Sequence, residues 1–460
     1  MNYSFAKMFL VLALLGLLVQ GYDCGSPEMT GARVYMTQKN YKAAAEQLEK
    51  EVKKNPGNEE AWFLLGSIKG EFSDYEGMNA AYNECLKIDP TKHGREIHDL
   101  RRSKWGGHIN SGVSHMNGGS TTNTAPYDSA VAEYRKAVAA WPDTFLTYRY
   151  LAYAYNDKGD EENAIQSFST AWNLGKQGED GKAAGRIYLF RGAQFKSQFE
   201  TANAEKIKLK HSLDDVDKGW SKTDVLRLLG APENKKPVKG SKKEDWQYIK
   251  YNLSLTFDGD RVVARSMSKP YDAGIDSTNL VAAKKEFGAA GGWLEKAREK
   301  NPKDNDLLKL LLQVYIETGR TKEAIGTYIQ ASENDPSNKV IFYVLGHLYR
   351  SDNQYDNSIK SFEKSLALDE NYADAMMELG TTYYNWGVEI LRVAQEKNSD
   401  DQSYKEKLKK ALPYFEKYTQ LSPGEPLVWE TLANIYGRTG QTDKAVKAIE
   451  EADRIRKGEK

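Results

Sequence analysis

The residues of this chain best suited to chemistry are four of its six histidines, which fall within one stretch at His93, His98, His108 and His115. Imidazole nitrogens bind zinc and related metals, so this group is a candidate metal site. His108 and His115 are seven residues apart, a rise of about 10 Å on a straight helix. One zinc ion holds two ligand nitrogens within about 4 Å of each other. Metal binding by the segment from His93 to His115 is therefore kept only as an alternative, and no cofactor is expected.

Sequence motifs that carry catalysis are absent. The chain has no His-Glu-x-x-His pair for metal hydrolysis, no glycine-rich loop ending in Lys-Ser or Lys-Thr for phosphate transfer, and no Gly-x-Ser-x-Gly for acyl transfer. We therefore expect no enzyme activity. Lysine plus arginine equals aspartate plus glutamate at 65 each, so the charge balance favours no nucleic-acid partner.

The first residues differ from the rest of the chain. Lys7 stands in a short polar start, and residues 8–19 are almost wholly apolar. A run of about 12 residues is too short to span a bilayer, which takes roughly 20. The pattern predicts a signal peptide over residues 1–23 and an exported protein, located in the bacterial periplasm or at the outer membrane.

The chain has two cysteines, Cys24 and Cys85. Cys24 follows the apolar run directly and is the lipidation candidate, because a short apolar run followed by Cys-Gly-Ser is the usual layout of a bacterial lipoprotein. Asp23 departs from the small residue that such signals have before the cysteine. Cleavage after Gly21 is the other possibility, which leaves Cys24 as a thiol near the terminus. Cys85 occupies a position that normally holds a small buried residue, so we expect it in the core.

Most of the chain consists of one sequence unit that is repeated several times. Leucine recurs every 34 residues at Leu311, Leu345 and Leu379. Tyrosine recurs at the same interval, four residues after each leucine, at Tyr315, Tyr349 and Tyr383. A Leu-(Gly/Ala)-x-x-Tyr run followed by Ala, an aromatic residue and Pro is typical of a helix-turn-helix repeat. Small residues allow two helices to approach, large ones fill the gap between them, and proline lies just past a helix end.

These units resemble tetratricopeptide repeats. The matching segments are 25–58, 59–92, 145–178, 305–338, 339–372 and 426–459. The resemblance implies a mostly α protein in which paired helices stack into a right-handed superhelix with an inner groove. One array is expected over residues 25–178 and a second over 276–460. Such arrays bind other proteins or peptides.

The side chains that face such a groove come from positions 2, 5, 9 and 12 of each first helix. The best candidates at these positions include aromatic and arginine residues, which are the types that anchor interfaces. They are Arg149, Tyr153 and Asn156 in the first array, and Gln313, Tyr343, His347, Arg350, Tyr384 and Asn434 in the second.

Two units are longer than 34 residues by similar amounts. Pro90 to Pro142 covers 52 residues and Leu379 to Leu432 covers 53. Each contains Asn-x-Gly-Val, at 110–113 and 385–388, followed by a polar stretch. We predict that the first helix of each long unit runs past its usual end and returns by a loop.

Residues 211–270 lack the helical period. Ser221 and Asp224 form a capping box, and Gly230 ends the predicted helix. A lysine-rich loop over 235–243 and a β-meander starting at Trp246 are expected to follow. A long connecting helix is predicted over 179–210.

The order Gly-x-Ser-Lys-x-x-Val-Leu-x-Leu-Leu-Gly-x-Pro, then Trp-x-Tyr, then Phe-Asp-Gly-Asp-Arg-Val resembles the small outer-membrane lipoprotein family SmpA/OmlA, also called BamE-like. The resemblance implies a small α+β domain that interrupts the superhelix. In that family the domain is an accessory of the machinery that inserts β-barrels into the outer membrane.

The sequence therefore predicts an exported bacterial scaffold that binds partner proteins in its grooves at or near the outer membrane. An accessory lipoprotein of β-barrel assembly is the alternative. The sequence leaves the oligomeric state open.

Overall fold

The computed structural model describes residues 25–120, 122–216, 219–397 and 399–458. The predicted signal peptide, 1–23, and the lipidation candidate Cys24 lie outside these residues. The described residues divide into two compact units, one within 1–184 and the other within 185–460. The described residues are mostly helical, with one small sheet, which confirms the predicted fold class of helical repeats with a small α+β insert.

The first unit is built from consecutive antiparallel helix pairs. Its helices are α1 (Pro27–Thr37), α2 (Tyr41–Lys54), α3 (Glu59–Glu71), α4 (Tyr75–Ile88), α5 (Gly94–Met116), α6 (Ala125–Ala140), α7 (Phe145–Lys158), α8 (Glu161–Gly175) and the start of α9 (Gly178–Asp215). The first helices of successive pairs are α1, α3, α5, α7 and α9.

Short polar side chains begin several of these helices. Asn58, Asp74 and Asp160 accept hydrogen bonds from the backbone N–H three residues further on, which satisfies a donor that the first turn leaves free. Gly159 ends α7 with φ of 86°, a left-handed conformation that glycine adopts without strain. The start and stop signals of the repeat are therefore local in the sequence.

Close contacts between a small and a large residue fix each pair. A Cβ on Gly66 would lie 2.6 Å from the ring of Tyr82, one on Gly112 would lie 2.3 Å from Tyr134, and one on Gly346 would lie 2.6 Å from Phe362. Only a residue without a side chain allows such approach. Cys85 is fully buried in α4, as predicted, and burial raises the pKa of its thiol to about 11.

The second unit contains the remainder of α9, the small sheet domain and four further helix pairs. Its other repeat helices are α11 (Thr278–Lys300), α12 (Asn305–Thr318), α13 (Thr321–Asn334), α14 (Lys339–Ser351), α15 (Tyr355–Leu368), α16 (Ala373–Glu396), α17 (Tyr404–Leu421), α18 (Pro426–Arg438) and α19 (Thr442–Arg456). Here α12, α14, α16 and α18 are the first helices of their pairs.

Helix α9 packs as the first helix of a pair with α11. A Cβ on Gly185 would lie 2.6 Å from Leu294, and one on Gly192 would lie 2.6 Å from the ring of Phe287. Arg191 also pairs with the largely buried carboxylate of Glu286 at 3.2 Å. The segment predicted as a connecting helix over 179–210 is thus packed against α11 through part of its length.

The small domain lies between α9 and α11. It contains α10 (Lys222–Leu229) and an antiparallel sheet of β1 (Asn234–Pro237), β2 (Lys243–Tyr248), β3 (Leu253–Asp258) and β4 (Arg261–Met267), in the order β1-β2-β3-β4. Ser221 caps α10 by accepting from Asp224 N–H at 3.1 Å. The sequence placed Lys235 and Lys236 in a loop, which is wrong, because they form edge strand β1. Lysine is common on edge strands, where it prevents pairing with another chain.

The two long units have extended first helices. Helix α5 has 23 residues and α16 has 24, and each is followed by a partner helix after a polar loop, as predicted. Within the described ranges, no helix combines the length and apolar character needed to cross a membrane.

Candidate binding surface

Three of the four clustered histidines of the first unit, His93, His98 and His108, contact separate neighbours. His108 uses both ring nitrogens, at 2.6 Å from the Tyr75 hydroxyl and 2.7 Å from Glu133 Oε2. The ring of His93 stacks on Phe63 with centroids 4.2 Å apart. Over the part of the chain that the structure describes, no group of three or more His, Cys, Asp or Glu side chains is arranged to hold a metal ion.

Arg149, a predicted groove residue of α7, is bound within the chain. Its Nη2 donates to Asp180 Oδ2 at 3.0 Å, and its Nε donates to Oδ1 at 2.5 Å. The Asp180 side chain is fully buried, whereas that of Arg149 is 21% exposed. This hydrogen bond raises the pKa of the arginine. Arg149 therefore joins α7 to α9, the next first helix.

The other two predicted groove residues of α7 are more accessible. Tyr153 is 40% exposed, and its ring meets that of Phe168 edge-on at 5.2 Å. Asn156 is exposed and donates to Asp157 at 3.2 Å. Both side chains retain surface that a ligand can reach.

In the second unit, three predicted groove residues form one connected cluster on α14. The rings of Tyr343 and His347 meet edge-on with centroids 4.6 Å apart. His347 Nδ1 lies 3.3 Å from Arg350 Nη2. Arg350 in turn donates from Nη1 to Glu378 on α16. The sequence placed the first three on one helix face, and Glu378 completes the cluster from the neighbouring helix.

The electrostatics of this cluster follow from its partial burial. Burial lowers the pKa of His347, an effect that Glu378 opposes and Arg350 reinforces. Burial also raises the pKa of Tyr343 to about 12. His347 is thus neutral and Tyr343 retains its proton near neutral pH, so the arginine and glutamate carry the charges of the cluster.

The remaining predicted residues lie on three other first helices. Gln313 on α12 is exposed, and Tyr384 on α16 is half-buried and packs against the hydrophobic core. Asn434 on α18 is exposed and accepts from Arg438 Nε at 2.9 Å. These three side chains extend the candidate surface beyond α14.

Three apolar residues at groove positions were missed by the sequence analysis. Ile316 is 65% exposed at position 12 of α12, Val340 is 44% exposed at position 2 of α14, and Leu427 is 68% exposed at position 2 of α18. The positional rule would have found them. Their side chains are of the same types as those of the core, so residue type alone does not mark them as exposed.

Ion pairs between successive first helices recur along the chain. Arg33 of α1 donates to Glu60 of α3 at 2.8 Å, in the same way that Arg149 reaches α9 and Arg350 reaches α16. In the second unit Lys196 of α9 donates to Glu317 of α12 at 2.8 Å. Adjacent first helices are therefore joined by charge as well as by apolar packing.

Comparison with protein families agrees with this architecture. One tetratricopeptide repeat model matches residues 29–69 and 127–172, and a second matches 59–92 and 427–458. A model of the TPR repeat matches 346–387. The matches fall on helix pairs in both units. The chain therefore contains tetratricopeptide repeats.

Solved structures that are similar to part of this chain include those of MamA and YrrB. A crystal structure of MamA is 22% identical and covers 40% of this chain and 96% of its own, with a TM-score of 0.32. YrrB, described as a TPR protein with an unusual peptide-binding site, is 20% identical and covers 40% of this chain and 87% of its own, with a TM-score of 0.30. No curated protein sequence matches the chain.

Proposed function

We propose that the protein is a scaffold whose second unit binds a segment of a partner polypeptide along α12, α14, α16 and α18. The observation that carries this proposal is the exposure of Ile316, Val340 and Leu427, by 65%, 44% and 68%, at positions of the repeat that are predicted to face the groove. A contiguous exposed apolar surface marks an interaction site, and the repeat pattern predicts that these three side chains share the groove face.

The neighbouring side chains suit a polypeptide ligand. Tyr343 and Tyr384 are half-buried, so each offers an aromatic surface that loses little side-chain entropy on binding. The Arg350 guanidinium and Glu378 carboxylate provide charged groups beside this apolar surface. A partner segment with apolar residues at regular intervals and polar groups between them matches this arrangement.

The test compares groove variants with matched variants of the second helices. The groove set is I316D, V340D and L427D combined. The control set is I329D, L368D and L421D, whose wild-type residues are 38%, 44% and 43% exposed on α13, α15 and α17. Affinity-tagged full-length proteins are isolated from their native cells, and the bound proteins are quantified by mass spectrometry.

The proposal expects one or more partners to be retained by the wild type and the control set and depleted at least tenfold from the groove set. A tenfold loss corresponds to about 1.4 kcal/mol. Equal recovery from the groove and control sets would contradict binding in the groove. Circular dichroism of both sets verifies that the helices are intact.

The proposed location is the bacterial periplasm or the outer membrane. It is supported by the apolar run at residues 8–19 and by Cys24 next to it. Mass spectrometry of the mature N-terminus tests both export and anchoring by lipid. A diacylated or triacylated Cys24 supports anchoring by lipid, a start at Tyr22 supports a free periplasmic protein, and an intact Met1 in the cytoplasmic fraction would contradict export.

A role in outer-membrane β-barrel assembly is the second candidate function. It is favoured by the small domain, in which the capped helix α10 is followed by a meander with Trp246 and Phe257 packed at 4.5 Å in its core. That order is the one the SmpA/OmlA resemblance implies. Co-isolation of barrel-assembly components that is lost on deleting 219–267 supports the role. Isolation without such components counts against it.

A further inference from the structure

A cleft of about 320 Å³ lies in the second unit, between the start of α15 and α16. It is lined by Asn353, Gln354, Tyr355, Asp356, Asn357 and Trp386. The first five belong to the turn after α14 and the start of α15, and Trp386 belongs to α16. Trp386 lies at position 14 of its unit, where first helices of ordinary length such as α12 end.

The aromatic wall of the cleft already carries a cation from the chain itself. The rings of Tyr355 and Trp386 stack nearly parallel, with an interplanar angle of 8° and centroids 5.6 Å apart. The ammonium of Lys407, on α17, lies 3.1 Å from the centroid of the Trp386 ring. Such contact between an ammonium group and an indole face is attractive because the ring face is electron-rich.

The position of Lys407 is set by the packing of the helices that hold it. A Cβ on Gly387 would lie 3.0 Å from Leu408, so α16 and α17 approach closely beside Trp386 and bring the neighbouring lysine over the ring. Burial lowers the pKa of Lys407, and repulsion by Lys410 adds to this effect. The ammonium therefore gives up hydration here. The charge of Asp356 opposes this shift of the pKa, although among the described residues no carboxylate lies within ion-pair distance of Lys407.

The other side chains of the cleft also favour a cation. Among the residues described, Asp356 makes no ion pair, and it lies at the exposed rim of the cleft. The carbonyl oxygens of the Asn and Gln side chains can accept further hydrogen bonds. A π face, a carboxylate and amide oxygens together match the guanidinium of arginine or the ammonium of lysine.

We propose that this cleft binds a basic side chain, lysine or arginine, of a partner polypeptide, which takes the place of Lys407 against Trp386 and pairs with Asp356. The site is separate from the groove. Trp386 falls at position 14 of its unit and Tyr355 begins a second helix, so neither is a groove position. If binding in the groove is disproved, the proposal for the cleft is unaffected, and the reverse also holds.

The test measures binding of a fluorescein-labelled tetralysine peptide with blocked ends to the full-length protein by fluorescence anisotropy. The variants are W386L, D356N and K407M, with K409M as the control. Lys409 lies on the same helix and pairs with Glu406 on the surface at 3.2 Å. K409M therefore changes the net charge by the same amount as K407M without touching the ring.

We expect K407M to bind the peptide about fivefold or more tightly than the wild type, because the competing ammonium is removed. W386L and D356N are each expected to weaken binding about fivefold, and K409M should differ from the wild type by less than twofold. Thermal unfolding by circular dichroism identifies any variant that fails to fold. The double variants W386L/K407M and D356N/K407M then report on the same two residues without the internal lysine.

Three results would overturn the proposal. The first is that neither the wild type nor K407M binds the peptide. The second is that K407M and K409M strengthen binding equally, which would indicate a general charge effect. The third is that folded W386L and D356N bind as the wild type does, which would place the peptide elsewhere.

Discussion

Arg350 on α14 donates a charge-assisted hydrogen bond to Glu378 on α16, the next first helix along the chain. This pair shows that an arginine at a groove position can already be neutralised by its own protein. Arg149 and Asp180 repeat the relationship in the first unit. A polypeptide that bound at either place would therefore meet an ion pair, and its charged groups would have to match both members of that pair.

The Arg149 and Asp180 pair predicts a large loss of stability when only its arginine is removed. R149M leaves the carboxylate of Asp180, which is fully buried, without its guanidinium, and we expect the free energy of unfolding to fall by on the order of 3 kcal/mol. The double variant R149M/D180N buries no charge and should recover part of this loss. Urea unfolding measures both, and equal losses in the single and double variants would contradict the structural role.

The half-buried imidazole of His347 predicts a pH dependence of stability. Burial lowers its pKa in the folded state below the ordinary value of 6.5, so the unfolded chain binds the proton more readily. Well above pH 6.5 His347 is neutral in both states and does not change the free energy of unfolding. As the pH falls below 6.5 the free energy of unfolding decreases, and the decrease levels off below the folded-state pKa.

The variant H347Q isolates this contribution. Urea unfolding is followed from pH 7.5 to pH 5 for both proteins, and the wild type should lose more stability over this range than H347Q does. Other histidines titrate equally in the two proteins and cancel in the difference. Parallel curves for the two proteins would show that His347 has the same pKa folded and unfolded.

The glycines of the repeat predict opposite effects at two positions. A Cβ at Gly346 would lie 2.6 Å from the ring of Phe362, whereas a Cβ at Gly326 on α13 meets nothing within 4 Å. We expect G346A to destabilise the protein by about 2 kcal/mol through overpacking. G326A should stabilise it by about 0.5–1 kcal/mol, because alanine favours the helix.

Urea unfolding measures the two alanine variants side by side. The substitution is chemically the same in both, so the difference between them reports the packing of α14 on α15. Similar changes for both would indicate that the close approach at Gly346 is absent in solution.

The repeat architecture could be predicted because its signals are local in sequence. Gly346, Phe362 and Cys85 occupy positions that the 34-residue period assigns to contacts within a pair, and the structure places them there. Capping residues such as Ser221 are also local signals, because the hydrogen bond that Ser221 accepts comes from the backbone N–H three residues further on.

The partners of the groove residues could not be predicted in the same way. Glu378 and Asp180 lie 28 and 31 residues beyond the arginines that they bind, and their contact depends on how one helix pair stacks on the next. Strand β1 was missed because its lysines read as a loop, although an edge strand tolerates them. The exposed Ile316, Val340 and Leu427 look like core residues unless their position in the repeat is considered.

Site-specific photocrosslinking tests the central claim most directly. p-Benzoylphenylalanine is placed singly at the groove positions 316, 340 and 427, and at the second-helix positions 329, 368 and 421, in the full-length protein in its native cells. If the groove holds a partner polypeptide, irradiation crosslinks the same partner from the three groove positions and little or none from the other three. Equal crosslinking from both sets, or crosslinks only from the second helices, would contradict the claim.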